Sequence, residues 1–111
     1  MHTSARRINA TPTVRVDATV VRLDVSGEDA TIDMGENPAY HPPAQVTELI
    51  IGYKASRNLR DNTTTSEVTD ITYRIANKDY DTASVHPKYL DQPDAWPVWV
   101  RDLVKEYDPA A

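Results

Sequence analysis

The stretch TVRVDATVVRLDV, residues 13–25, carries the clearest secondary-structure signal in the chain. In its first half, apolar residues alternate with Arg15, Asp17 and Thr19, which is the period of two expected for a half-buried β-strand. At Val20–Val21 the alternation changes phase, and one inserted residue reverses the facing of every later side chain. The stretch therefore predicts a strand over 13–25 with a β-bulge or a bend near 20–21.

The residues that follow this strand predict a hairpin. SGED, residues 26–29, is rich in turn-forming residues. ATIDM, residues 30–34, places Ile32 and Met34 on one face of a second, shorter strand. We interpret residues 13–34 as a β-hairpin.

Two later segments predict further strands. Residues 46–60 fit a helix, which would align Lys54, Arg57 and Arg60 in a basic stripe. They also fit a strand, because the segment is rich in β-branched and aromatic residues, and a strand over 46–54 is favoured.

Residues 67–76 alternate as a strand, with a helix capped at Ser66 as the alternative. Residues 77–93, which contain Pro87 and Pro93, are interpreted as mostly irregular.

The stretch PDAWPVWVRDLVKEYDP, residues 93–109, contains both tryptophans of the chain. It predicts an amphipathic helix over 95–107, with Asp94 as the N-cap and Pro109 as the stop. Since removing a buried Trp costs about 3–5 kcal/mol, we expect the apolar stripe to be core. The alternative is a helix that offers its Trp99 edge to a partner. The stripe consists of Trp96, Val100, Leu103, Val104 and Tyr107, with Trp99 at its edge.

These elements define an α+β fold. We expect a small antiparallel sheet, made of the hairpin 13–34 and one or two further strands, packed by the C-terminal helix 95–107. A chain of 111 residues is one domain. The domain is expected to span 13–111, after a flexible N-terminal arm over 1–12.

Composition excludes several classes of function. The net charge of −5 argues against a nucleic-acid module, which needs a basic face. The sequence contains no run of about 18 apolar residues, so it predicts no membrane span. The N-terminus lacks the apolar segment of a signal peptide, so a cytoplasmic location is expected. The absence of cysteine excludes disulfides and thiolate chemistry.

Catalytic and cofactor motifs are missing from the sequence. It contains no glycine-rich phosphate loop, no HExxH zinc motif and no GxSxG nucleophile motif. We therefore predict no enzymatic activity, no catalytic residues, no cofactor and no metal. A small enzyme or ligand-binding domain that uses His41 or His86, for example with Asp81 or Asp91 as a metal ligand, is the weakest alternative.

The C-terminal pattern W-V-x-x-L-V-x-x-x-x-P, from Trp99 to Pro109, resembles the tails of small uncharacterised proteins from actinobacteria and their phages. Arginine outnumbers lysine, as a GC-rich genome favours. The resemblance covers about the last fifteen residues. It implies a phage or prophage source and carries no activity.

The function that the sequence favours is non-enzymatic binding of another protein, as a regulator, adaptor or inhibitor. The alternative is a structural subunit of a larger assembly, such as a virion or a homo-oligomer. Two regions are the candidate contacts: the proline-containing loop 35–45 and the acidic C-terminal segment. The candidate partner-binding residues are Tyr40, His41, Trp99, Asp102 and Glu106.

Overall fold

The computed structural model describes residues 14–27, 29–33, 43–76 and 81–110. Every strand pair in these ranges is antiparallel, and one α-helix follows the strands, so the predicted α+β class is confirmed. The predicted arm over 1–12 lies outside the described residues. The elements are β1 (Val14–Asp24), β2 (Thr31–Ile32), β3 (Ala44–Asn58), β4 (Thr64–Ile75), β5 (Thr82–Ser84), two 3₁₀ turns (Pro87–Tyr89 and Pro93–Ala95) and α1 (Val98–Glu106).

The strand β3 is the centre of the sheet. The strand order is β1-β3-β4-β5, and β2 also pairs with β3. The strand predicted for 46–54 is confirmed and is longer than expected, while the helical alternative is wrong. The basic stripe therefore does not form, because Lys54 and Arg57 fall on opposite faces of a strand. The strand predicted for 67–76 is also confirmed, although β4 begins earlier, at Thr64.

The predicted hairpin 13–34 is wrong, because β1 and β2 do not pair with each other. Both run antiparallel to β3, from Asp24 opposite Glu48 to Thr31 opposite Gln45. The backbone amide of Val25 donates to the carbonyl of Thr47, and Ala30 accepts from Val46, so the chain leaves β3 and returns to it. β2 therefore continues along β3 in the same direction as β1, and we call the connection between these two strands the β1–β2 excursion.

The predicted bulge near 20–21 is also wrong. Val20 pairs with Gly52 and Val21 with Ile51 without any break in register. Two register shifts lie instead between β3 and β4: one falls between Val46 and Glu48, and at the other Gly52 pairs with Asp70 but Tyr53 pairs with Val68. The change of phase in β1 arises because both faces of the strand carry valines. Val21 packs against the core, whereas Val20, on the opposite face of the sheet, is 64% exposed.

The hydrophobic core lies at one end of the sheet. It gathers residues of β3 and β4, the ends of the β1–β2 excursion and the C-terminal segment. The β3–β4 turn lies at the opposite end, where Asn62 adopts a φ of 62°. The most deeply buried side chains are Tyr53, Leu49, Ile51, Ile71, Val46 and Val100.

The C-terminal helix is shorter than predicted. It begins at Val98 with Pro97 as its N-cap, so the predicted start at 95 and the predicted N-cap Asp94 are wrong. Trp96 precedes a proline, which disfavours helical backbone, and it is extended at φ −90° and ψ 155°. Trp96 is nevertheless only 5% exposed. None of the helices in the described ranges is long and apolar enough to cross a membrane.

Candidate functional site: an acidic aromatic cleft

A cleft of about 510 Å³ opens between α1 and the β1–β2 excursion. Apolar side chains and two aromatic rings form most of its wall, and three carboxylates stand among them. We call it the acidic cleft. Its lining residues are Leu23, Asp24, Val25, Asp29, Ala30, Trp99, Asp102, Leu103 and Tyr107.

Trp99 is held in a fixed position in the wall of the acidic cleft. Its indole Nε1 donates a hydrogen bond of 2.9 Å to the carbonyl oxygen of Thr31. Its ring lies 6.2 Å from the ring of Tyr73 and is tilted by 53° to it, at a distance typical of interacting aromatic pairs. Because the indole N–H is already satisfied, Trp99 offers a ligand only its ring surface.

The carboxylates give the acidic cleft a negative potential. Asp24 accepts hydrogen bonds from the hydroxyl of Ser26 at 2.6 Å and from its backbone amide at 2.9 Å. These bonds, led by the one from the side chain, hold the pKa of Asp24 below its ordinary value. Among the described residues, no Lys or Arg lines the cleft, so nothing there neutralises Asp24, Asp29 and Asp102.

The structure brings together two of the five predicted contact residues. Trp99 and Asp102 line the acidic cleft from successive turns of α1. Glu106 is exposed on the same helix but does not line the cleft. Tyr40 and His41 lie outside the described residues, as does most of the 35–45 loop.

Seven further lining residues were not predicted as candidate contacts, and three of them carry a carboxylate or a phenol. The expectation that Tyr107 belongs to the core is wrong, because Tyr107 is exposed and lines the cleft. Asp24 precedes the SGED segment and Asp29 is its last residue, and the predicted hairpin gives no reason to place them beside α1. No local sequence signal indicated this placement, because it depends on the pairing of both β1 and β2 with β3.

The other side of α1 has a different character. A cleft of about 610 Å³ there is lined by Lys88, Arg101 and Lys105, with Glu67, Asp91 and Asp108 among them. Its charges balance, so it has no preference for the sign of a ligand. Arg101 also lies 3.7 Å from the carboxylate of Asp94.

His86 has a structural role in the turn that follows β5. Its Nδ1 accepts a hydrogen bond of 3.2 Å from the backbone amide of Lys88 and so caps the first 3₁₀ turn. Within the ranges that the structure describes, no three His, Asp or Glu side chains lie close enough together to hold a metal ion.

No protein-family model, curated protein or solved structure matches this chain.

Proposed function

We propose that the chain is a non-enzymatic binding protein whose acidic cleft receives a basic side chain of a partner protein. The observation that carries this proposal is the combination of three carboxylates with the rings of Trp99 and Tyr107 in one cleft. A Lys or Arg side chain is complementary to this cleft, since its apolar stem can contact the apolar wall and its terminal cation can contact the carboxylates.

Two physical effects favour such a ligand. A cation within about 6 Å of an aromatic ring gains about 0.5–1 kcal/mol at exposed sites. The carboxylates of Asp24, Asp29 and Asp102 add Coulomb attraction, and the net charge of −5 steers a basic partner toward the protein. The cleft thus selects for charge as well as for shape.

We further infer that α1 packs on the sheet, so that the cleft is formed before the partner arrives. Val100 and Val104 of α1 are buried in the same cluster as Ile51 and Ile71 of the sheet. The hydroxyl of Tyr53 donates a hydrogen bond of 2.8 Å to the backbone carbonyl of Val104. A preformed cleft spares the partner the entropic cost of ordering α1.

The test uses an oligo-arginine peptide, with an oligo-citrulline peptide of the same length as the uncharged control. The chain has two tryptophans, so its NMR spectrum shows two indole N–H signals. The arginine peptide should shift the Trp99 signal and leave that of Trp96, which does not line the cleft. The citrulline peptide should shift neither.

Asp102→Asn and Glu106→Gln are the matched variants, because each removes one negative charge from α1 and only Asp102 lines the cleft. Asp102→Asn should weaken peptide binding about fivefold, which corresponds to about 1 kcal/mol. Glu106→Gln should leave it nearly unchanged. Equal effects of the two variants would show that the peptide senses only net charge, and the proposal would fail.

A second function is favoured by a different part of the molecule. The chain would be a subunit of a larger assembly, such as a virion or a homo-oligomer. This is supported by residues 14–20 of β1, where Val14, Val16 and Val20 are all exposed, since valines on an edge strand favour association. Light scattering after size-exclusion chromatography tests it, and a strict monomer at every concentration would contradict it.

A further inference from the structure

Residues 14–20 of β1 present an apolar stripe on an edge of the sheet. Val14 and Val16 are each 51% exposed and Val20 is 64% exposed. In the strand order β1 is terminal, and within the described ranges no strand pairs with its outer edge. We call Val14, Val16, Ala18 and Val20 the β1 stripe.

The backbone of the same four residues points toward that outer edge. The amide of Val25 donates to the carbonyl of Thr47, which continues the register of β1 with β3. In an antiparallel pair the residues that bond to the partner alternate along the strand. Odd-numbered residues of β1 therefore bond to β3, and even-numbered residues direct their amides and carbonyls outward.

The other face of this segment carries two opposite charges, two residues apart. The Nε of Arg15 lies 3.2 Å from a carboxylate oxygen of Asp17, and these side chains are 67% and 56% exposed. When two copies of β1 run antiparallel about Val16, Arg15 of each copy lies opposite Asp17 of the other. A pairing centred on Asp17 instead opposes two carboxylates, which is unfavourable.

We propose that a second copy of this chain pairs with β1 in the antiparallel direction, with Val16 on the two-fold axis. The two sheets then become one, and Val14 of each copy packs beside Ala18 of the other. The Arg15–Asp17 pairs fall at positions that do not exchange hydrogen bonds, where opposed side chains lie closest. This inference rests on the assembly function proposed above and not on the acidic cleft.

The first test is an exchange of charges, read by light scattering after size-exclusion chromatography. The native chain is a dimer whose dissociation is set by concentration. Arg15→Asp opposes two pairs of carboxylates and Asp17→Arg opposes two pairs of guanidinium groups, so each variant should dissociate at least about tenfold more readily. The double variant Arg15→Asp/Asp17→Arg should recover the native affinity.

The decisive sample is an equimolar mixture of the two single variants. Their charges are complementary only between chains, so the mixture should form a heterodimer, whereas loss of the Arg15–Asp17 contact within one chain is not repaired by mixing. A mixture that stays monomeric overturns the proposed register. A dimer that is insensitive to both variants overturns pairing through β1 but leaves the proposed assembly function standing. A native chain that is monomeric at every concentration overturns both the pairing through β1 and the assembly function.

The second test fixes the position of the axis. The chain has no cysteine, so a single introduced thiol reports only on its own site. Val16→Cys places two thiols at directly opposed positions, about 5.5 Å apart at Cα, which suits a disulfide. Mild oxidation should give a covalent dimer.

Val14→Cys is the matched control for this test, because Val14 and Val16 are equally exposed on one strand. In the proposed dimer the two copies of Val14 are separated by four residue positions, or about 13 Å. Val14→Cys should therefore remain uncrosslinked under the same oxidation. Equal crosslinking of both variants, or of neither, overturns the assignment of the axis.

Discussion

At the scale of single residues, Tyr53 connects the centre of the sheet to the C-terminal helix. Its side chain is almost fully buried, and its hydroxyl donates to the carbonyl of Val104. Tyr53→Phe keeps the ring but leaves that carbonyl without its donor. We expect a loss of about 1 kcal/mol in the free energy of unfolding, measured by urea denaturation.

The control for this prediction is Tyr107→Phe, which removes a hydroxyl from an exposed tyrosine. Its effect should stay within about 0.5 kcal/mol. If the two variants lose the same stability, the hydrogen bond between Tyr53 and Val104 contributes nothing to the fold.

Buried tyrosines also give the stability of the protein an alkaline limit. Burial, with a smaller effect of the Asp108 carboxylate, raises the pKa of Tyr53 to about 12. Burial raises the pKa of Tyr73 to about 12 as well. Each folded pKa lies above the ordinary value of 10.0, so the folded state holds these protons more tightly. Stability should be fully present below pH 10 and should fall as the pH rises toward 12.

Urea midpoints across this interval measure the effect. Tyr53→Phe/Tyr73→Phe should flatten the alkaline decline, because the variant has neither of the two buried phenols to ionise. A decline as steep as that of the native protein would show that other groups cause it.

At the scale of elements, Gly52 sits where β3 and β4 change register. The side chains of Thr69 and Asp70 lie over it, and an added Cβ would be 2.7 Å from the hydroxyl oxygen of Thr69 and in closer conflict with the Asp70 carboxylate. We expect Gly52→Ala to reduce the free energy of unfolding by about 1–3 kcal/mol.

A double-mutant cycle measures the cause of this loss. Asp70 is exposed, so Asp70→Ala alone should change stability little. In the Asp70→Ala background, the cost of Gly52→Ala should be smaller. Additive effects would place the origin of the cost elsewhere, for example in the conformation of β3.

β1 and β4 were predictable from the sequence because period-two alternation marks a β-strand whichever face is buried, and β3 was favoured by its β-branched and aromatic composition, whereas β5 lies in the segment interpreted as mostly irregular. The pairing of the strands was not predictable, and Val20 shows why. The sequence treats Val20 and Val21 as one apolar run, whereas the structure exposes the first and packs the second against the core. An exposed valine and a partly buried one are indistinguishable in a sequence pattern, so the change of phase predicts a bulge that the structure does not contain.

The C-terminal helix and the acidic cleft were also predictable only in part. Amphipathic spacing predicted the helix, but the strong local effect of Pro97 on Trp96 sets its start. That Trp99 and Asp102 lie side by side was predictable, because residues three positions apart are neighbours on one helix face. Asp24 and Asp29 reach the acidic cleft only through the pairing of β1 and β2 with β3, which is a long-range contact and has no local sequence signal.

At the scale of the whole molecule, the sheet has a buried end and an exposed end. The core residues of β3 extend only to Tyr53, and no residue from 54 to 58 is buried. The segment of β1 opposite them, residues 14–18, is exposed throughout. The exposed end therefore depends on backbone hydrogen bonds with little apolar burial, and it should open locally at a lower free energy than the core.

Hydrogen exchange of a dilute sample, read by NMR, checks this arrangement one amide at a time. The amides of Asp17 and Thr19 bond to β3 and should exchange slowly, whereas those of Val16 and Ala18 point outward and should exchange rapidly. Protection should therefore alternate along β1. Uniform protection at low concentration would contradict an open outer edge.

The central position of β3 also sets the order of events during synthesis. β1 leaves the ribosome first, but its pairing partners extend to Asn58, which is 44 residues beyond Val14 (58 − 14). At a synthesis rate of about 5–20 residues per second, β3 is completed about 2–9 s after β1 has been made. During that interval the valines of β1 are exposed on a strand with no partner, so the newborn chain is most vulnerable to aggregation before its third strand exists.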